Sequence, residues 1–270
     1  TLVTWNIQSL RLKRIEVEGE SQLNQVIQET KPDIMFLQET CLRARREPRT
    51  IHREYKHFCS SMPDRQTRTG KPVQLQDRHL VTGAGVLTLV HRSLGPDRTV
   101  TRVQEPAALR GYVVAIRAHT GRGDMLLANV YLPPGDHRVE VMTEIKDWLA
   151  GEGREGEPLL VGGDMNAAWY VGDRRKRALT HTDEGLKQWA RELGVKPTDV
   201  WHSATRRDHS YTSHATEGEN VSQGGGTSRI DDFMLTTEGV GLSGGVVRAP
   251  TVVLRGLEHT SDHQPVLLQL

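Results

Sequence analysis

The chain has 270 residues, 36% of them hydrophobic, and its 35 Lys and Arg nearly balance 34 Asp and Glu for a formal charge of +1. At roughly 150 residues per domain this length allows one large domain or two small ones, with enough chain to bury a sizeable core. No apolar run approaches the ~20 residues needed to cross a bilayer, no secretory leader is visible, and two cysteines (Cys41 and Cys59) without zinc-ligand spacing exclude a disulfide framework, so an intracellular protein is expected.

In chain order, strand-like and helix-like segments alternate. Leu2 to Ile7 predicts a first strand with Asn6 near its end, and Gly19 to Lys31 has helical spacing that Pro32 stops. Asp33 to Leu37 predicts a buried strand tipped by Gln38-Glu39-Thr40. Between Cys41 and Leu80 lie ten Lys or Arg, including Arg43, Arg45 and Arg46, against four acids. Gly85 to His91 is apolar strand, and Gly111 to Ala118 with Met125 to Tyr131 predicts an antiparallel pair around Gly121–Asp124. After Pro133-Pro134-Gly135 comes a helix from about Arg138 to Leu149.

Leu159-Leu160-Val161-Gly162-Gly163-Asp164-Met165-Asn166 organises the rest. It reads as a buried strand closed by a Gly-Gly turn, then a carboxylate and a carboxamide two residues apart that an extended segment points the same way. An Asx turn satisfying local amides is the plainer reading. The basic run Arg174-Arg175-Lys176-Arg177 follows, then a helix near Glu184 to Leu193. Ser210 to Ser213 and Ile230 to Thr236 bracket a Gly/Ser/Thr-rich loop, and Val246 to Leu254 and Pro265 to Leu270 are the final strands around Ser261-Asp262-His263. With no repeat and no interdomain linker, residues 1–270 are expected to form one α/β domain, cut from a larger polypeptide.

Polar groups gather at the strand ends: Asn6, Glu39, Tyr131, Asp164, Asn166, Asp231 and Asp262-His263. A carboxylate within an apolar strand must be paired or coordinate something, and alternation sends one of Asp231 and Asp232 outward. Acids at strand ends with separate basic clusters suit a polyanionic substrate, although any one cluster reads equally as a solvated face.

The ordered set Trp5-Asn6-Ile7, Gln38-Glu39-Thr40, Asn129-Val130-Tyr131-Leu132-Pro133, Gly163-Asp164-Met165-Asn166, Ser228-Arg229-Ile230-Asp231 and Ser261-Asp262-His263 resembles the endonuclease/exonuclease/phosphatase family. That family includes deoxyribonuclease I, exonuclease III, abasic-site endonucleases and the endonuclease domains of LINE-type retrotransposons, which this chain resembles most. The resemblance covers essentially the whole chain. It implies a four-layer α/β sandwich, two packed mixed β-sheets flanked by helices, with the site at one edge between the sheets.

It also implies roles. Glu39 with Asn6 would hold Mg²⁺, for which Mn²⁺ substitutes, and Asp262 would take a second metal or orient its loop. Asp231 would hold His263 in one tautomer. Asn166 and Tyr131 would donate to phosphate oxygens, and either Asp164 or His263 would take the proton from water. DNA contacts are expected from Arg43, Arg45, Arg46, Arg174, Arg175 and Arg177, and from His214, Asn220, Gln223 and Ser228 in and beside the loop. Gln8, Ser9, Pro134 and Ser228 depart from the abasic-site pattern. The expected activity is therefore Mg²⁺-dependent nicking of duplex DNA to 3′-hydroxyl ends, as a retrotransposon target-site nickase. Abasic-site cleavage and phosphatase action on another substrate are the alternatives. A monomer, joined to a reverse transcriptase in the full protein and acting in the nucleus away from membranes, completes the expectation.

Overall fold

In the computed structural model, the described residues are 1–8, 10, 16–17, 20–42, 50–61, 84–95, 99–120, 123–135, 137–170, 179–198, 230–242, 251–252, 263 and 265–270. The strands are β1 (Leu2–Asn6), β2 (Glu16–Val17), β3 (Glu20–Ser21), β4 (Ile34–Gln38), β5 (Tyr55–Ser60), β6 (Val86–His91) and β7 (Val100–Val103). They continue as β8 (Val113–Thr120), β9 (Gly123–Tyr131), β10 (Leu159–Asp164), β11 (Lys196–Pro197), β12 (Asp231–Leu235), β13 (Thr251–Val252) and β14 (Val266–Leu268). The helices are α1 (Gln22–Thr30), α2 (His137–Glu152), α3 (His181–Glu192) and α4 (Thr237–Leu242).

Two six-stranded sheets result, ordered β13-β14-β1-β4-β6-β5 and β11-β12-β10-β9-β8-β7, beside a small β2–β3 ladder. Both are mixed: β1 runs parallel to β4 and β9 parallel to β10, with antiparallel neighbours elsewhere. Strand alternation explains how the layers stack. Val3, Trp5, Met35 and Leu37 leave one face of the first sheet and meet Leu23, Val26 and Ile27 of α1. Leu2, Phe36 and Val86 leave its other face and pack into a core shared with the second sheet, which α2 and α3 cover through Ile145, Leu149, Leu186 and Trp189. This is the expected α/β sandwich of two mixed sheets between helices.

Ser21 starts α1 by accepting the Asn24 amide, and Lys31, at φ 43°, ends it in the left-handed region. Thr180 and Asp183 form a capping box at α3, and Trp189 Nε1 donates to the Met142 carbonyl at 2.6 Å, which ties α3 to α2.

Several predicted elements need correction. The Gly-Gly turn is not a turn: Gly162 and Gly163 sit inside β10, which continues to Asp164. A Cβ on Gly162 would lie 2.5 Å from Phe233 and 2.9 Å from Phe36, and one on Gly163 would lie 1.8 Å from the Val130 carbonyl oxygen. Close packing, rather than chain reversal, demands the glycines. Asp232, on the same strand as Asp231, is also buried, so neither acid of that pair faces solvent. Strands β5 and β7 and helix α4 were not foreseen, because Lys56-His57 and Thr101-Arg102 break the apolar pattern of the two strands. The expected strand at Ser210–Ser213 lies outside the described residues.

Candidate active site

The inward-facing positions of successive strands end in polar side chains. On the first sheet these are Thr4 then Asn6, and Phe36 then Gln38; on the second they are Asn129 then Tyr131, and Gly162 then Asp164. Gln38 Nε2 donates to Asn129 Oδ1 at 2.7 Å and to Thr4 Oγ1 at 3.0 Å. Asn129 Nδ2 reaches back to the Leu87 carbonyl at 3.0 Å and to Thr88 Oγ1 at 3.3 Å. This buried amide network bonds one sheet to the other just behind the site, where an apolar layer would leave their register to packing alone. Both residues fall within the motifs quoted above, where neither carries an expected role. An amide at the inward position of an otherwise apolar strand was the available signal.

One step further along the strands the carboxylates converge. Asn6 Oδ1 accepts the Gln8 amide at 3.1 Å, which turns Asn6 Nδ2 toward Glu39 Oε1 at 3.0 Å and Asp164 Oδ2 at 2.8 Å. Glu39, just past β4, has φ 51°, a conformation that non-glycine residues rarely adopt. The bonds Thr40 N to Gly85 O and Leu10 N to Thr40 O fix the segment after it. Partly exposed, Glu39 faces the site's opening, whereas Asp164 is fully buried.

Asp164 and Asn166 do converge, for a different reason from the one expected. The strand ends at Asp164, and Asn166 turns back through a left-handed φ of 48°. Its amide donates to Asp164 Oδ1 at 2.8 Å, so the Asx turn is present as well. Asn166 Nδ2 donates to Asp164 Oδ2 at 3.1 Å and to the Leu132 carbonyl at 2.9 Å. A phosphate oxygen would therefore compete with Asp164 for an Asn166 N–H.

Burial, then the nearby charge of Asp231, pushes the Asp164 carboxyl up to about 7, against the lowering effects of His263 and Asn6. Burial also raises the Tyr131 hydroxyl, with Glu39 and Asp164 adding to the shift, and Tyr131 hydrogen-bonds to Glu39. His263 Nδ1 sits 2.8 Å from Asp231 Oδ2, and the His263 carbonyl accepts Trp5 Nε1 at 3.1 Å. Nδ1–H donating to Asp231 fixes the tautomer in which Nε2 carries no proton when the ring is neutral. Ligand atoms of Asp164, Asp231 and His263 lie within 4.8 Å of one another.

The structure thus brings together Asn6, Glu39, Tyr131, Asp164, Asn166, Asp231 and His263. Asp262, Arg43, Arg45, Arg46, Arg174, Arg175, Arg177, His214, Asn220, Gln223 and Ser228 lie outside the described residues. Among the described residues no helix is long and apolar enough to cross a membrane.

Two groupings suit a divalent cation. Glu39 offers a partly exposed carboxylate of the kind Mg²⁺ takes with its retained waters, and Asn6 beside it turns Nδ2 toward that carboxylate while Oδ1 accepts the Gln8 amide. The Asp164–Asp231–His263 grouping includes an imidazole, which suits softer ions.

No curated protein sequence matches the chain. Among solved structures it is similar to an AP endonuclease from Archaeoglobus fulgidus, at 19% identity and TM-score 0.69 over 99% of this chain and 98% of that one. It is likewise similar to the 3′-5′ exonuclease NExo from Neisseria meningitidis, with 19% identity, TM-score 0.69 and coverage of 99% and 98%. The endonuclease domain of TRAS1, a telomere-specific non-LTR retrotransposon, aligns at 17% identity and TM-score 0.62 over 100% of this chain and 97% of that one. The sequence model of the Endonuclease/Exonuclease/phosphatase family matches residues 3–263, and the chain belongs to that family.

Proposed function

We propose that the chain is a Mg²⁺-dependent endonuclease that nicks duplex DNA and leaves 3′-hydroxyl ends. The observation that carries this reading is the Asn6 carboxamide between Glu39 and Asp164, which sets a partly exposed carboxylate beside a buried one of raised pKa. Glu39, assisted by Asn6, would hold the metal, whose bound charge would offset that developing on the phosphoryl oxygens.

The chain's own groups do the rest. Burial and the Asp231 charge raise the Asp164 carboxyl to about 7, which suits it to taking a proton from water. That water's oxygen forms the new bond to phosphorus, the bond from phosphorus to O3′ breaks, and O3′ takes a proton from solvent to become the 3′-hydroxyl. Asp231 keeps His263 in the tautomer that directs Nε2 toward the phosphate, and a protonated His263 beside Asp231 would donate to it. Tyr131 presents a hydroxyl that stays protonated at all working pH values.

Retrotransposon target-site nicking is the proposed biological setting, favoured by the likeness to the TRAS1 endonuclease domain and by the departures at Gln8, Ser9, Pro134 and Ser228. There, a reverse transcriptase on the same polypeptide would extend the new 3′ end on nuclear DNA. Abasic-site cleavage is the second reading, favoured by the likeness to the Archaeoglobus enzyme. Supercoiled plasmid with Mg²⁺ separates these readings from phosphatase action. Nicked circles from undamaged plasmid support target nicking; nicking confined to depurinated plasmid supports repair. Intact plasmid in both cases refutes the endonuclease assignment.

A further inference from the structure

Asp231, Asp164 and Tyr131 are register partners on neighbouring strands, Asp231 opposite Asp164 and Asp164 beside Tyr131. Residues paired in this way point to the same face of a sheet, so the three form one row across its end. The row has a fourth member. Val113 pairs with Val130, and one step on, the Tyr131 amide donates to the Tyr112 carbonyl at 2.8 Å. Tyr112, whose own amide donates to the Leu109 carbonyl at 3.1 Å, therefore stands beside Tyr131 where β8 begins, close enough that its phenol adds to the upward shift of the Tyr131 hydroxyl.

Tyr112 is 2% exposed, and its hydroxyl has no hydrogen-bond partner among the described residues. Its ring meets that of His137 edge-on, with centroids 6.1 Å apart, at the start of α2. His137 is itself a third exposed and bonded through Nδ1 to Glu140, so its ring can swing into solvent. A buried polar group without a partner is uncommon and calls for a bond supplied from outside the chain. Phenylalanine would fill the same space without that cost.

We propose that Tyr112 is a DNA-binding residue whose hydroxyl donates to a non-bridging oxygen of the phosphate beside the scissile one, with His137 moving aside to admit it. The inference rests on the endonuclease reading. It follows from the order of the row, in which Asp231, Asp164 and Tyr131 serve the scissile phosphate and Tyr112 lies one strand farther along. Burial, reinforced by Glu140, pushes the Tyr112 hydroxyl up to about 12, so it is a donor throughout the working range. An anionic phosphate is the acceptor that best repays a desolvated O–H.

The test is Tyr112→Phe in the whole chain, read in three ways: melting temperature, duplex affinity in EDTA, and steady-state kinetics with Mg²⁺. The expected result is a melting temperature unchanged or raised, a Kd and KM about tenfold higher, as for a hydrogen bond to a charged group, and an unchanged kcat. A lowered melting temperature would mean that the hydroxyl is satisfied within the fold, and would overturn the proposal. Unchanged Kd and KM with an active wild type would overturn it while leaving the endonuclease reading intact. A wild type that neither binds nor nicks DNA would remove that reading and this inference together.

Discussion

The Asn6 carboxamide donates to the buried carboxylate of Asp164 over 2.8 Å, and this bond joins the end of one sheet to the end of the other. The same nitrogen serves Glu39 at 3.0 Å, so a single neutral donor separates two carboxylates. Asn6→Ala should lower stability by about 1–3 kcal/mol, because two acceptors lose a buried partner. Asn6→Asp should be worse, adding a third negative charge where Asp164 already resists ionisation. Chemical denaturation in EDTA checks the order, and Asn6→Asp matching wild-type stability would contradict it.

Asp164→Ala and His263→Ala should each reduce turnover by about 10²–10⁴-fold, the usual loss when an acid–base group is removed. Because the proposed chemistry uses the row and its histidine as a unit, the double variant should cost little more than the worse single one. Single-turnover nicking rates measure this; near-normal turnover in either variant would exclude that residue from the chemistry.

The raised carboxyl of Asp164 carries a sign. Its folded value, about 7, lies above the ordinary 3.8, so between those values the folded chain holds a proton that the unfolded chain has released. This group's contribution to stability is therefore full below about 3.8 and is lost as pH rises through about 7. Removing the Asp231 charge should move the Asp164 midpoint down. Carboxyl chemical shifts of metal-free protein, followed from pH 4 to 9 in wild type and Asp231→Asn, give both midpoints. A midpoint near 4 in wild type, or an upward move in the variant, would contradict the account.

Much of the fold was legible because strands buried on both faces leave plain apolar runs, and Leu2–Asn6, Ile34–Gln38 and Leu159–Asp164 all do so. Tyr55–Ser60 and Val100–Val103 hid because edge strands keep one side in water and carry Lys56 or Arg102. The site was legible as a set of strand-end polar residues whose roles came by resemblance. What a linear pattern cannot express is cross-strand register. That register puts Tyr112 in the same row as Asp164, and lets Gln38 and Asn129 bond across the sandwich.

The two central glycines should differ in tolerance. A Cβ at Gly162 meets the rings of Phe233 and Phe36, which can shift, so Gly162→Ala should cost about 1–3 kcal/mol. One at Gly163 meets a backbone carbonyl at 1.8 Å, with φ at 148°, so Gly163→Ala should cost more, on the order of 4 kcal/mol or above. Urea melts rank the pair, and equal midpoints would contradict the packing argument.

The proposed cleavage of a phosphodiester releases O3′ and requires Glu39. The most direct measurement is to treat supercoiled plasmid with wild type and Glu39→Ala in Mg²⁺, then offer the products to a DNA polymerase with labelled nucleotides and no phosphatase pretreatment. The account predicts nicked circles that label at once with wild type, at least ~10²-fold fewer with Glu39→Ala, and none in EDTA. Nicks that label only after 3′-phosphate removal, or equal nicking by Glu39→Ala, would contradict it.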